Sequence, residues 1–478
     1  MKTIHIDVAV IGAGSAGLPA YRAAKAAGAR AVIIEGGPYG TTCARVGCMP
    51  SKLLIAAAEA AHAIERAPGF GVHAGEPRID GREVMDRVRR ERDRFVGFVV
   101  RGVEGIPAAD RIEGRARFLD AHTLQVEGGP TIEARAVVIA TGSHPTVPPM
   151  LRGLGDRLVV NDDVFSWDAL PRSVAVFGPG VIGLELGQAL ARLGVRVVIL
   201  GRGGRLGPIT DPVIHRAALE AFTAELDLDP DAHVARVERQ GDEVQIEYRA
   251  RDGATRVERF EYALAATGRA PNMSGLDLAR AGVELDAQGV PFTDPFTLQA
   301  GKSAIFVAGD AANIAPLLHE AADEGRIAGE NAARFPKVHP GRRRAPLGII
   351  FTDPQVAIVG GGYGALKSVP HVAGEVSFAD QGRARVMLRN RGHLRVYADP
   401  ASGRFLGAEM VGPDAEHIGH LLSWALQSRL TVEEMLQMPF YHPVVEEGLR
   451  TALRDLDAHV KRARERLHAG AEASAAAV

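Results

Sequence analysis

A unit of strand, glycine-rich turn, helix and second strand occurs twice in this chain, and it leaves few folds open. In the first copy Val8, Val10 and Ile11 form an apolar strand, and Gly12, Gly14 and Gly17 follow as GxGxxG. An alanine-rich helix then runs to about Ala27, and residues 31–34 form the next strand. In the second copy residues 174–177 are the strand, Gly178, Gly180 and Gly183 are the glycines, and residues 195–200 are the strand that follows. Glu35 stands 23 positions after Gly12, and Gly201 stands 23 after Gly178. With 55 glycines present, chance supplies about one GxGxxG, so the weight lies on the repeated context. Such glycines let a backbone approach a pyrophosphate, which then sits at a helix N-terminus and its partial positive charge. The repeat therefore predicts two dinucleotide sites, one for each partner of a hydride transfer.

The two copies differ at the end of the second strand. Glu35 can bond ribose hydroxyls, whereas the second copy has Gly201, then Arg202 and Arg205. An acid there favours the free 2′-hydroxyl of NAD, and an arginine accommodates the 2′-phosphate of NADP. The expectation is that NAD works, that NADP is discriminated against only weakly, and that Gly201→Glu sharpens the preference for NAD. Further strand ends fit the same architecture: Thr141-Gly142, Thr267-Gly268 and Gly309-Asp310 each close an apolar run, and Asp310 can hold a ribityl hydroxyl. Gly309-Asp310 is read as opening another helix.

At 478 residues, 46% hydrophobic and 24% charged, the chain has room for two to four domains. A net charge of −2 offers no electrostatic argument for a nucleic-acid or anionic-membrane partner. No apolar run reaches the length of a membrane span, and no signal peptide is visible before the first strand, so a cytoplasmic location is expected. The only cysteines are Cys43 and Cys48. That excludes a disulfide framework of the secreted kind, and the loop holds no His or acidic residue to complete a metal site.

Residues 43–52 read CARVGCMPSK, just beyond the first nucleotide unit. A thiol pair there can form a short-loop disulfide that opens by exchange through a mixed disulfide, with the thiolate as the reactive form. With GAGSAG, GPGVIGLELG, ATGRAPN, VAGDAAN, HEAADEG, FTDPQVAIVG and HPVVEEG, this motif makes residues 5–455 resemble the pyridine nucleotide–disulfide oxidoreductases. Within that family the chain is most similar to the dihydrolipoamide dehydrogenases, which carry close counterparts of HEAADEG and of Ser51. The resemblance implies an α/β fold with two Rossmann-like dinucleotide-binding domains and an α+β C-terminal dimerisation domain. It implies an FAD domain in two parts (1–147 and 273–344), an NAD(P) domain at 148–272, a dimerisation domain at 345–465, and a flexible tail at 466–478.

The resemblance also implies roles. FAD would lie in the first site, with Thr42, Lys52 and His319 among its contacts, and the helix opened near His319 would aim its N-terminus at the flavin. Cys48 would lie nearer the ring, Cys43 would exchange with substrate, and Lys52 would pair with Glu185. His442 and Glu447 would form the base and its orienting acid, with His442 reaching the disulfide of a second subunit. The chain departs from the family pattern at Thr41 (usually glycine), at Ala44-Arg45, at Phe440 and at Val444. Arg342, Arg343 and Arg344 read as a solvated run.

The function this implies is FAD-dependent oxidation of dihydrolipoamide by NAD in a homodimer, the lipoylated protein being a separate chain. An NADPH-driven reductase of another disulfide, favoured by Gly201 and Arg202, is an alternative. So is a non-catalytic flavoprotein sensor. A mercuric reductase fits less well, because no further cysteine exists to deliver a metal ion.

Overall fold

The structure is a computed structural model that describes the backbone of residues 3–476. The first sheet has seven strands. Its central strand β1 (Thr3–Ile11) leads into helix α1 (Gly17–Ala26) and strand β2 (Ala31–Glu35). β1 lies between β2 and Thr131–Ile139, parallel to both, with Ile11 level with Ile34 and Ile139. The short strand Ile305–Val307 returns much later in the chain and pairs parallel with Thr131–Ile139, Val307 level with Ile139. The carboxyl ends of these strands thus open on one edge, where ligands of such sheets bind. Both faces of β1 are covered: Val8 and Val10 pack towards α1 and the helix Leu318–Arg334, and Ala9 and Ile11 pack on the other side. A strand buried on both faces reads as a continuous apolar run rather than an alternation.

After β2 the chain forms the short helix α2 (Thr42–Val46), turns at Gly47, and enters the longer helix α3 (Cys48–Arg66). The second glycine unit builds a five-stranded parallel sheet from strand β3 (Ser173–Phe177), helix α4 (Val181–Arg192) and strand β4 (Arg196–Leu200), with Asp227–Asp229, Tyr262–Ala265 and Leu158–Val160. A three-stranded antiparallel sheet (His233–Gln240, Glu243–Arg249, Thr255–Phe260) flanks it. Beyond residue 346 the chain forms a five-stranded antiparallel sheet, packed against Ala415–Gln427 and the C-terminal helix α5 (Glu447–Ala476). The architecture is the α/β fold expected, with two nucleotide-binding units and a separate C-terminal sheet.

Two local expectations are corrected. Gly309-Asp310 opens only a single turn of 3-10 helix, Gly309–Ala312, and the longer α-helix begins at Leu318, beyond Pro316. Residues 466–476, read as a tail, continue α5, as their alanine-rich composition favours; residues 477–478 lie outside the described residues.

Candidate active site

The first glycine turn is fixed by sterics. A Cβ at Gly17 would lie 1.8 Å from the Gly12 carbonyl oxygen, so only glycine lets α1 approach the strand. Gly12 itself has a φ of +104°, and a Cβ there would meet the Ala140 carbonyl oxygen. At Gly14 a Cβ would meet nothing within 4 Å, because this residue faces a cavity of about 490 Å³. Glu35, Thr42, Thr141, Gly142 and Asp310 line that cavity. Glu35 accepts hydrogen bonds from the backbone N–H groups of Ala13 (2.7 Å) and Gly37 (2.8 Å). Asp310 accepts from the Ser143 hydroxyl at 2.6 Å. A bare backbone cradle at a helix N-terminus, with a carboxylate at either end, fits the phosphates and polyol of FAD.

The second unit repeats this construction. A Cβ at Gly183 would lie 1.9 Å from the Gly178 carbonyl oxygen, and Gly178 again has a φ of +104°. Gly178, Gly180, Gly201, Arg202, Arg205 and Gly268 border a cavity of about 940 Å³. Arg249 and His233, from the flanking antiparallel sheet, face the same space. Nothing in the spacing of the glycine unit points to those two, because they arrive from strands outside it. Gly201 is explained differently from the sequence reading: a Cβ there would lie 2.4 Å from the Pro230 carbonyl oxygen. Close packing against Pro230, rather than the mere absence of an acid, requires glycine, so Gly201→Glu would disrupt the loop instead of reporting on cofactor choice.

The two cysteines sit at the start of consecutive helices. Cys43 lies in the first turn of α2 and is half-buried, and Cys48 opens α3 and is exposed. A hydrogen bond from the Cys43 thiol, opposed by desolvation and helped by the Lys52 charge, lowers the Cys48 pKa to about 7. Its place at a helix N-terminus acts in the same direction. The Cys43 thiol, as the donor to Cys48 and through burial, is pushed well up. The Lys52 charge and the N-terminus of α3 both favour the thiolate on Cys48.

Thr41, just before this pair, has φ 58° and ψ 151°, a region open to glycine and strained for a β-branched residue. Its hydroxyl caps α2 by accepting from the Ala44 N–H at 3.3 Å. The sequence marks Thr41 only as a departure from glycine; its backbone angle supplies the reason glycine is usual there.

Lys52, one turn after Cys48, meets Glu185 of α4 at 2.6 Å. Glu185 is buried, and its other oxygen accepts from the Phe351 N–H at 2.9 Å, while the Lys52 ammonium lies 4.6 Å from the Phe351 ring centroid. The carboxylate is thus satisfied on both oxygens, as a buried charge must be. Neither Lys52 nor His319 lines the first cavity; His319 lies exposed in the first turn of Leu318–Arg334, and Ala321 of that helix reaches the cavity instead.

His442 Nδ1 lies 3.0 Å from a carboxylate oxygen of Glu447, the first residue of α5. The hydrogen bond from His442 holds the Glu447 carboxyl below its usual range. With Nδ1 so engaged, Nε2 is the outward nitrogen of a side chain that is 81% exposed. No hydrogen bond, ion pair or cavity among the described residues joins His442 to Cys43 or Cys48 within one chain.

In the arginine run Arg342 and Arg344 are exposed as read, and the correction falls on Arg343. Arg343 is largely buried and bonds Glu320 at 2.9 Å and Glu324 at 2.8 Å, and Arg344 lies 3.2 Å from Asp323. Three carboxylates on the buried face of Leu318–Arg334 need cations, which a run read in isolation does not reveal.

Comparison with known proteins agrees with this geometry. The family model for pyridine nucleotide-disulphide oxidoreductases matches residues 6–325, and the model for that family's dimerisation domain matches residues 347–453. A mercuric reductase of Shigella flexneri is 32% identical, with 95% of this chain and 82% of that protein covered. A dihydrolipoyl dehydrogenase of Bacillus subtilis is 30% identical, with 94% of this chain and 98% of that protein covered. Among solved structures, LpdA from Mycobacterium tuberculosis superposes with a TM-score of 0.80 at 26% identity, covering 94% of this chain and 99% of that one. The flavoprotein disulfide reductase RclA from Escherichia coli shares the fold, with a TM-score of 0.79 at 24% identity over 94% of this chain and 99% of that one. This chain belongs to the pyridine nucleotide–disulphide oxidoreductase family: it is a flavoprotein oxidoreductase with a disulfide redox centre, and its C-terminal domain fits a homodimer. The family binds FAD and a nicotinamide nucleotide. No helix among the described residues is long and apolar enough to cross a membrane.

Proposed function

We propose that this protein oxidises dihydrolipoamide, or a lipoyl group carried on a separate chain, and passes the electrons through Cys43/Cys48 and FAD to NAD. The observation that carries the reading is the placement of Cys43 and Cys48 at the starts of consecutive helices, with the Lys52–Glu185 pair one turn further on and a carboxylate-held histidine, His442, available as a base.

Bound FAD, held by the Gly12–Gly17 turn, Glu35, Thr141, Gly142 and Asp310, supplies two-electron transfer between Cys48 and the nicotinamide. The chain's own residues do the rest. His442 Nε2 takes the proton of one substrate thiol, and Glu447 orients the ring and stabilises its charge. The resulting thiolate attacks Cys43 Sγ of the disulfide, forms a mixed disulfide and releases Cys48 as thiolate. His442 passes that proton to solvent and takes the proton of the second substrate thiol, whose thiolate attacks the substrate sulfur of that bond, closing lipoamide and expelling Cys43, which receives the proton from His442. The Lys52 ammonium, held by Glu185, favours the negative charge on Cys48. Because His442 has no contact with the cysteines of its own chain among the described residues, the base would serve the second subunit of a homodimer.

A soft metal ion as substrate is less well supported, since thiolates are its preferred ligands and this sequence holds no cysteine outside the redox pair. For the nicotinamide, Arg202, Arg205, Arg249 and His233 around one cavity support tolerance of a 2′-phosphate. NAD is expected to be the working acceptor with weak discrimination against NADP, and Arg202→Ala should harm NADP selectively.

The test is turnover of purified holoprotein with dihydrolipoamide, oxidised glutathione and mercuric ion, each against both nicotinamides. Dihydrolipoamide should be the preferred substrate, and Cys43→Ser or Cys48→Ser should abolish its turnover. Faster reduction of glutathione disulfide or of mercuric ion would replace this reading, and rejection of NADP by about a thousandfold would remove the role of Arg202.

A further inference from the structure

Glu324 carries a buried charge outside the cavities, yet it is wired to one of them. Its side chain is 0% exposed. One oxygen accepts from the Arg343 guanidinium at 2.8 Å, and the other accepts from the backbone N–H of Gly309 at 2.8 Å. Arg343 is itself held by Glu320 at 2.9 Å. Gly309 has a φ of +72°, and a Cβ there would lie 2.9 Å from the Cβ of Ala16, so this turn has little freedom to rearrange. The next residue, Asp310, faces the first cavity and takes the Ser143 hydroxyl. Neither Glu324 nor Arg343 lines that cavity.

We propose that Glu324, held in place by Arg343, is a positioning residue for FAD: it pins the Gly309 N–H and thereby the turn that presents Asp310 to the ribityl chain. Without Glu324 the Gly309 N–H is left buried with no partner, a state the backbone escapes by moving the turn. A buried ion pair adds little net stability of its own, so the consequence of Arg343–Glu324 is chiefly geometric. Burial pushes the Glu324 carboxyl up, the Arg343 guanidinium opposes that and aims the carboxylate, and the carboxylate fixes the turn. The inference rests on reading the first cavity as the FAD site.

The experiment is titration of flavin-free apoprotein with FAD, followed by quenching of flavin fluorescence. It is run for wild type, Glu324→Ala and Glu324→Gln, each also combined with Asp310→Ala. Glu324→Ala should weaken FAD by about tenfold or more and Glu324→Gln by a smaller factor. Both effects should vanish in the Asp310→Ala background, because the residue acts through Asp310. NADH binding at the second cavity should be unchanged, which a general loss of structure would not allow. FAD affinities within about twofold of wild type, or losses that add fully to that of Asp310→Ala, would overturn the proposal. Should Glu324→Ala fail to fold, the Glu324→Gln pair of titrations decides on the same criteria. A wild-type apoprotein that takes up no FAD would instead overturn the assignment of the cavity.

Discussion

At the scale of single residues, the redox pair sets the clearest expectation. The hydrogen bond from Cys43 places the Cys48 pKa at about 7, below the usual thiol range. A lowered thiol is deprotonated, and so nucleophilic, above that pH and quenched below it. Alkylation of Cys48 in the reduced protein by iodoacetamide should therefore rise through pH 7 and be complete where an ordinary thiol is still protonated. A midpoint near that of a free cysteine would show that the Cys43 bond and Lys52 do not act on it. Thr41 offers a second test. At its φ of 58° a non-glycine side chain is strained, so Thr41→Gly should be more stable than Thr41→Ala by about 1 kcal/mol, reversing the order usual elsewhere. Thermal unfolding of the two variants reads this, and the ordinary order would mean that no strain resides there. What the sequence discloses at this scale is uneven. Cys43 and Cys48 announce themselves by number and spacing, but Lys52 and Glu185 are 133 positions apart and only resemblance brings them together before the fold does. Arg343 misleads, because the acids it neutralises lie on a helix some 20 positions upstream.

At the scale of elements, the two glycine units show why part of the fold is legible. Gly12 and Gly17 in the first, and Gly178 and Gly183 in the second, are demanded by contacts inside the unit itself, so the signal is local. Gly201 is the contrast: its demand comes from Pro230, in a strand connection elsewhere, and no local pattern betrays it. Gly14 separates folding from binding. A methyl there meets no protein atom within 4 Å but occupies the cavity. Gly14→Ala should therefore fold and yet retain little FAD, read as flavin released per chain on denaturation. Full flavin content in that variant would mean that the phosphates do not pass over Gly14.

At the scale of the whole molecule, the proposed electron path is one whose parts a single protomer does not bring together among the described residues. The dinucleotide cavities and the cysteine helices are built within one chain, and the His442–Glu447 pair stands exposed on its C-terminal domain. Homodimer formation, which the dimerisation domain fits, is what would bring that base to a second chain's cysteines. The sequence conveys the order of these parts through their motifs. It does not convey the exposure of His442, which depends on where the helix Glu447–Ala476 lands on the antiparallel sheet. On the proposed reading the Cys43/Cys48 pair is a working disulfide and dithiol that exchanges electrons with the nicotinamide through the flavin. This reading is tested most directly by counting alkylatable thiols in denatured protein before and after anaerobic addition of NADH equimolar with the chains. The expected result is none before and both cysteines after; two free thiols in the oxidised protein, with no change on adding NADH, would contradict it.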